Sequence, residues 1–258
     1  MARRTARPLP LILISNDDGV TAPGIRALAK ALERLGEVWV VAPETEQSGM
    51  SHALTLSRPL RLREHAPRVW ALDGTPADCT YVALHHARLL PRRPSVVVSG
   101  INMGLNLGTD VFYSGTVAAA REGALRGVPA IAFSMPSKGN AGACAVRARS
   151  MVARLLAWRE ANPGAVAPLL NVNFPDGRAR GVRACSLGVR DYENLVEIRN
   201  DPRGRQYLWI GGPSVVGATV EGTDTAAFEA GYVSVTTLRL DLGRDPGDAL
   251  ALALAKRA

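Results

Sequence analysis

Apolar residues in this chain gather into short unbroken runs, and each run stops abruptly at polar residues. Leu11-Ile12-Leu13-Ile14, Val38-Trp39-Val40-Val41, Val96-Val97-Val98, Ala130-Ile131-Ala132-Phe133 and the stretch from Leu169 to Phe174 have this form. Such runs predict interior strands of a parallel sheet covered on both faces. A shorter strand is predicted at Val69-Trp70-Ala71-Leu72. Between the strands the spacing turns helical. Ile25, Leu28, Ala29 and Leu32 share one face, and Gly36 is expected to end that helix. Thr75-Pro76 is a helix start with proline at the first position, and that helix is predicted to run toward Leu90. Further helices are predicted over Val117–Arg126 and Ala145–Ala161. The alternation defines an α/β protein with a doubly wound, mainly parallel sheet.

Two stretches depart from the alternation. The segment from Glu44 to Leu60 is polar, then alternates at Ala53-Leu54-Thr55-Leu56, which reads as a loop followed by a strand or hairpin. Beyond Pro175, short β-like pieces appear at Gly181–Val189 and Gln206–Gly211. Asp201-Pro202-Arg203-Gly204 forms a turn between them. Glu221 to Ala227 looks like a capped helix start, Tyr232 to Leu238 like a closing strand, and Asp248 to Lys256 like a short helix or a fraying tail. The chain therefore divides into a core over 1–180, a hairpin arm over 181–220 and a return to the core over 221–258.

Composition narrows the class. With 258 residues and 47% hydrophobic content the chain can bury one sizeable core. No apolar run approaches the ~20 residues of a membrane span, and the basic start, Met1 to Pro8, does not read as a signal peptide. The net charge of +8 is carried by arginine, with only Lys30, Lys138 and Lys256 as lysines. Affinity for polyanions such as RNA is one reading; a solvated arginine-rich surface is the other. The arginines do not interleave with aromatics, which favours the second reading. Cys79, Cys144 and Cys185 show neither zinc nor disulfide spacing, so a reducing cytoplasm is expected.

Candidate chemistry sits where the strands end, at the carboxyl edge where ligands of open α/β sheets gather. The first strand delivers Asn16, Asp17, Asp18 and Gly19. Two adjacent carboxylates repel and are costly to desolvate unless a cation holds them. An N-cap Asp beside a turn Asp would account for the pair without metal. The loop after Pro43 adds Glu44, Glu46 and Ser48, and the third strand adds Ser99, Asn102 and Asn106. Carboxylates, hydroxyls and amides form an all-oxygen donor set, suited to Mg²⁺, Mn²⁺ or Ca²⁺ and lacking the Cys and His that zinc prefers. Ser114-Gly115-Thr116 opens a helix whose N–H groups and hydroxyls would suit a phosphate, although such caps are common without one. His52 reads as a proton donor or a polar surface residue, and His85-His86 are given no role. GxGxxG, GxxxxGK[ST] and GxSxG are absent from the sequence, which disfavours dinucleotide, P-loop and hydrolase-elbow sites.

Taken together, these segments resemble the SurE family of stationary-phase survival proteins, which act as 5′/3′-nucleotidases. The resemblance rests on Ser-Asn-Asp-Asp-Gly at 15–19, Ala-Pro-Glu-x-Glu-Gln-Ser-Gly at 42–49 and Gly-Thr-Pro-Ala-Asp-Cys at 74–79. It continues through Val-Ser-Gly-Ile-Asn-x-Gly-x-Asn at 98–106, Tyr-Ser-Gly-Thr-Val-Ala-Ala-Ala at 113–120, Asn171 to Pro175 and Gly231 to Thr236. It implies a Rossmann-like domain with a C-terminal β-hairpin oligomerisation arm, exchanged in a homodimer or homotetramer. It also implies a phosphomonoesterase acting on nucleoside monophosphates, 3′-nucleotides included; short polyphosphate as a substrate is a further reading within enzymes. One divalent cation per subunit, Mg²⁺ or Mn²⁺, would be held by Asp17, Asp18, Ser48 and Asn102. Phosphate would meet Asn102, Asn106, Ser114, Gly115 and Thr116. Catalytic roles fall to Asp17, Asp18, Asn106 and Ser114. Neither DNA nor a membrane is expected as a partner. A nucleotide- or RNA-binding regulator with little turnover is the alternative from another class.

Overall fold

In the computed structural model, residues 8–192, 196–210, 215–216 and 220–241 are described. The first half lays down β1 (Leu11–Ser15), α1 (Pro23–Leu32), β2 (Glu37–Pro43), β3 (Leu62–Ala66), β4 (Val69–Leu72), α2 (Pro76–His85) and β5 (Val96–Asn102). A 3₁₀ turn at Gly108–Phe112 follows, then α3 (Gly115–Leu125), β6 (Ala130–Ser134), α4 (Ala141–Ala161) and β7 (Leu169–Asn173). The remainder adds β8 (Val182–Cys185), β9 (Asp191–Tyr192), β10 (Val196–Asn200), β11 (Gln206–Ile210), β12 (Val215–Val216), α5 (Asp224–Glu229) and β13 (Val233–Leu238).

Nine strands form one sheet in the order β3-β4-β2-β1-β5-β6-β7-β13-β8. All neighbouring pairs run parallel except β3 with β4 and β7 with β13. The apolar runs become its centre: Leu11 to Ile14 and Val96 to Val98 are fully buried. Each buried Leu, Ile or Val stabilises the fold by about 1.5–3 kcal/mol. Alternate residues serve opposite layers. Ile12, Ile14, Val96 and Val98 pack under α1 and α4, while Leu13, Val97, Ala130 and Ala132 pack under α2 and α3.

Small residues let α3 lie close to the sheet. A Cβ on Gly123 would come within 2.6 Å of Val97 Cγ2, and Ala118, Ala119 and Ala120 are buried beside it. This close seating fixes where the N-terminus of α3 falls, and so where the site forms. Gly24 does the same for α1, since a Cβ there would meet the Ile101 carbonyl oxygen at 2.0 Å.

Several boundaries differ from expectation. The alternating stretch Ala53–Leu56 is not a strand; Thr55 instead gives both its N–H and hydroxyl to Asp78, at 2.9 and 2.6 Å. The hairpin comes later, as β3–β4. Helix α2 stops at His85 rather than near Leu90, because the capping box of Thr75 and Asp78 anchors only its start and Arg88 to Pro94 is rich in arginine and proline. Helix α4 starts four residues before Ala145, at Ala141, because Asn140 caps it. Helix α1 ends at Leu32, ahead of Gly36. The segment expected to leave the core, 181–220, opens with a strand that stays in the main sheet, β8 paired parallel to β13. Its hairpin is β10–β11, closed by Asp201, whose carboxylate accepts from Arg203 N and Arg205 N. Leu195 and the tail 248–256 lie outside the described residues.

Candidate active site

At the carboxyl edge, β1 and β5 run side by side, with Ser15 opposite Ser99. Beyond Ser15 the chain turns through Asn16, Asp17, Asp18 and Gly19. Gly19 adopts φ +97°, a conformation open to glycine, and its carbonyl accepts from Asn16 Nδ2 at 2.9 Å. The turn is thereby locked with both aspartates against the sheet edge. Asp17 is 4% exposed. Its Oδ1 accepts a short hydrogen bond from the Thr116 hydroxyl, and its backbone carbonyl accepts from Gln47 N at 2.8 Å. Gly115 is what allows this approach, because a Cβ there would sit 2.8 Å from Asp17 Cβ.

The electrostatics of the pair are adverse. Burial raises the pKa of Asp17, against the lowering effect of the Thr116 hydrogen bond. Burial, then repulsion by Asp17, raises that of Asp18 to about 6. Glu46 adds to the repulsion on both. Asp18 Oδ2 and Asn16 Oδ1 are buried without a hydrogen-bond partner. Buried polar atoms are rarely left alone, and two crowded carboxylates with an unpaired oxygen fit a cation. Among the described residues, no group of three or more His, Cys, Asp or Glu side chains is arranged to hold a metal. The donors at hand are two carboxylates with neutral oxygens, the pattern of a hard divalent ion that keeps several waters.

A cleft of about 310 Å³ opens over Asp17, lined by Ser48, Gly49, Asn102, Leu105, Asn106, Asp110, Tyr113 and Ser114. Of the residues singled out in the sequence, Asp17, Ser48, Asn102, Asn106 and Ser114 meet there. Asp18, Gly115 and Thr116 lie outside this lining. Thr116 is fully buried with its hydroxyl committed to Asp17. Ser48 is exposed and donates to Glu46 Oε1 at 2.9 Å; Asn102 donates to the Gly104 carbonyl at 2.9 Å. Ser114 caps α3 by accepting from Val117 N at 3.0 Å, which leaves its own hydroxyl hydrogen free to donate. His52 belongs elsewhere: its Nε2 lies 2.9 Å from Glu122 Oε2, and Arg126 holds the other carboxylate oxygen at 2.7 Å. Burial favours the neutral acid of Glu122, but the bonds from His52 and Arg126 outweigh it and lower its pKa.

Asn106 is held from both its backbone and its side chain. Its amide nitrogen donates to Ser134 Oγ at 2.7 Å and its backbone N–H to Asn173 Oδ1 at 2.8 Å. Its carbonyl accepts from Asn171 and Asn173, at 2.7 and 3.0 Å. Ser134, Asn171 and Asn173 were given no roles in the sequence reading. Their signal was there: Asn171 and Asn173 are polar residues at alternate positions of an otherwise apolar strand, and Ser134 is the polar residue that ends one. Tyr113 of the cleft wall opens the motif at 113–120, whereas Asp110 carried no comparable signal.

Fold and site together define a doubly wound α/β protein with an oxygen-rich, anionic cleft at the carboxyl edge of its sheet. A family model, Survival protein SurE, matches residues 12–194. The chain is 56% identical over 234 residues to the 5′-nucleotidase SurE of Sorangium cellulosum (strain So ce56), covering 90% of this chain and 91% of that one. It is 49% identical over 236 residues to the 5′-nucleotidase SurE of Geobacter metallireducens, with 90% and 92% coverage. The crystal structure of the SurE protein from Aquifex aeolicus superposes with a TM-score of 0.81 at 39% identity, covering 95% of this chain and 99% of that chain. The chain belongs to the SurE family. Among the described residues no helix is long and apolar enough to cross a membrane.

Proposed function

We propose that this protein is a divalent-metal-dependent phosphomonoesterase, a 5′-nucleotidase that converts nucleoside monophosphates to nucleoside and phosphate. The observation that carries the reading is the buried Asp17–Asp18 pair, with its raised pKa values and its unpartnered oxygen, beside a cleft that ends at a helix N-terminus. The names of the Sorangium and Geobacter relatives support it.

In this reading Asp17, Asp18, Ser48 and Asn102 hold one ion, Mg²⁺ or Mn²⁺. When bound, a divalent ion supplies positive charge for phosphoryl oxygens and lowers the pKa of a coordinated water. The chain's residues do the rest. Asp17, with Oδ1 fixed by Thr116, orients the attacking water through its other oxygen. The Ser114 hydroxyl and the first N–H groups of α3 donate to the phosphoryl oxygens, where charge accumulates as the ester bond breaks. Asn106 has one amide hydrogen committed to Ser134 and a second to offer the phosphoryl group. The surrounding network prevents that amide from swinging away.

The hairpin supports a further part of the reading, assembly. Val196, Ile198, Leu208 and Ile210 pair across β10–β11 on one face, and they are 53%, 61%, 55% and 94% exposed. An isolated two-stranded hairpin is marginal in water, so a second subunit is the surface that would cover this face, in a homodimer or homotetramer. The three cysteines are all unpaired, in keeping with a reducing cytoplasm.

The test is phosphate release from AMP and GMP, their 3′-isomers and short polyphosphate, with Mg²⁺, with Mn²⁺ and after chelation. Release from the 5′-nucleotides that disappears on chelation is expected. Binding of nucleotides without release from any phosphomonoester, whatever the ion, would instead make the protein a nucleotide-binding regulator.

A further inference from the structure

The segment that follows β8 returns to the cleft before it reaches the hairpin. Arg190 Nη1 lies 2.7 Å from Asp110 Oδ2, and the two side chains are only 18% and 12% exposed. The Thr109 hydroxyl donates to the Arg190 carbonyl at 2.5 Å, and Arg190 N lies 3.2 Å from the same hydroxyl. A second clasp lies beside the first. Asp224, fully buried at the start of α5, accepts from Gly108 N at 2.9 Å and Gly188 N at 2.8 Å. The fit leaves no room for side chains, since a Cβ on Gly108 would come within 2.8 Å of the Gly188 carbonyl. Residues 108–110 and 188–190 are thus built against each other.

Asp110 lines the cleft with Asp17, Asn106 and Ser114. A phosphate group carries one to two negative charges, and a carboxylate on the wall repels it unless a cation compensates. Arg190 is such a cation, with its guanidinium hydrogen-bonded to that carboxylate and largely shielded from water. Arg190 is not itself among the residues lining the cleft; it reaches Asp110 from the excursion beyond β8. We infer that Arg190 is a positioning residue for phosphate binding: it cancels the charge of Asp110 and fixes the 108–112 turn. The affinity of the cleft for a phosphate group then depends on the segment that leads into the hairpin. The inference rests on the phosphomonoesterase reading.

The test measures the dissociation constant of inorganic phosphate by calorimetry in the presence of Mn²⁺, with KM and kcat for AMP alongside. Arg190→Ala is expected to weaken phosphate binding and raise KM by about tenfold, with a smaller effect on kcat. Arg190→Gln, which keeps a donor but no charge, should behave alike and covers the case in which the alanine variant folds poorly. Adding Asp110→Asn to either variant should bring both constants back to within about threefold of wild type, because the uncompensated charge is gone. A purely structural Arg190 predicts no such recovery, and a double variant no better than the single one overturns the inference. So does an arginine variant with wild-type phosphate affinity. Phosphate binding is read without turnover, so a wild-type protein that binds phosphate but releases none from AMP would overturn the proposed activity and leave this inference standing.

Discussion

The cleft and the β10–β11 hairpin break the ordinary rule of burial in opposite directions. Beside the cleft, toward the carboxyl ends of β1 and β5, polar groups are buried without partners: Asp18 Oδ2, Asn16 Oδ1 and the hydroxyls of Ser15 and Ser99. On the hairpin, large apolar side chains stand in water, with Ile210 at 94% and Trp209 at 61% exposure. An unsatisfied buried carboxylate and an uncovered isoleucine are both unfavourable, but they call for different partners. The first is relieved by charge, in the form of a cation and the donors around it. The second is relieved by another apolar surface. The chemistry of each defect therefore names the kind of ligand, a small ion in one place and a macromolecular surface in the other.

The comparison can be broken most directly at Asp17. Asp17→Asn keeps the volume and removes the charge, and kcat for AMP should fall roughly a thousandfold, the scale of losing a group that stabilises the transition state electrostatically. Circular dichroism should be unchanged and thermal stability equal or higher, because a repelling buried carboxylate has gone. At the hairpin, Ile198→Asp with Ile210→Asp should raise the dissociation constant of the oligomer on the order of a hundredfold or more, taking about 1.5–3 kcal/mol for each buried isoleucine. Sedimentation velocity across a dilution series reads this; an unchanged distribution would remove the hairpin from the interface.

Gly115→Ala sharpens the cleft side. The added methyl must push against Asp17, and a shift of ~1 Å in a catalytic group can cost on the order of a hundredfold in rate. The smallest effect is expected away from both regions, at Glu122. Glu122→Gln should lower stability by about 1–3 kcal/mol at neutral pH, since it weakens two bonds to a buried carboxylate. The pKa of Glu122 in the folded chain lies below its ordinary 4.5. The stability it adds is therefore complete above that value and lost as pH falls through the folded-state pKa. The gap in melting temperature between variant and wild type should narrow on going from pH 7 to pH 4.

Much of this was legible in the sequence, for a physical reason. Strands buried on both faces need continuous apolar runs, and catalytic polar groups cluster where those runs stop. That made β1, β2, β5, β6 and β7 readable and placed Asp17, Asn102, Asn106 and Ser114 on one edge. Contacts between distant segments were not readable. Thr55 forms a side-chain bond to Asp78 instead of a strand, Asn106 is held from β6 and β7, and Asp110 meets Arg190 eighty positions away. Periodicity reports what one element buries, not which loop another loop will meet. A β-like piece is legible at Gly181–Val189, where β8 forms, but not its place in the main sheet: it is a sheet edge with Val182, Arg183 and Ala184 exposed, so it lacks the apolar signature of its neighbours.

The chain closes its excursion before resuming the sheet. Ser186 forms a bridge with Thr223, its N–H donates to the Gly222 carbonyl at 3.0 Å, and Asp224 N donates back to the Ser186 carbonyl at 2.9 Å. The described residues between 187 and 221 lie beyond this stapled neck. Topologically the excursion is a cassette, whose entrance and exit are adjacent. Loop-closure entropy grows only slowly with length, so such a cassette can lengthen, shorten or be replaced at little thermodynamic cost to the core. Among the described residues, Leu187 packed on the core, Gly188 bonded to Asp224 and Arg190 paired with Asp110 tie the excursion back to the sheet and the cleft wall.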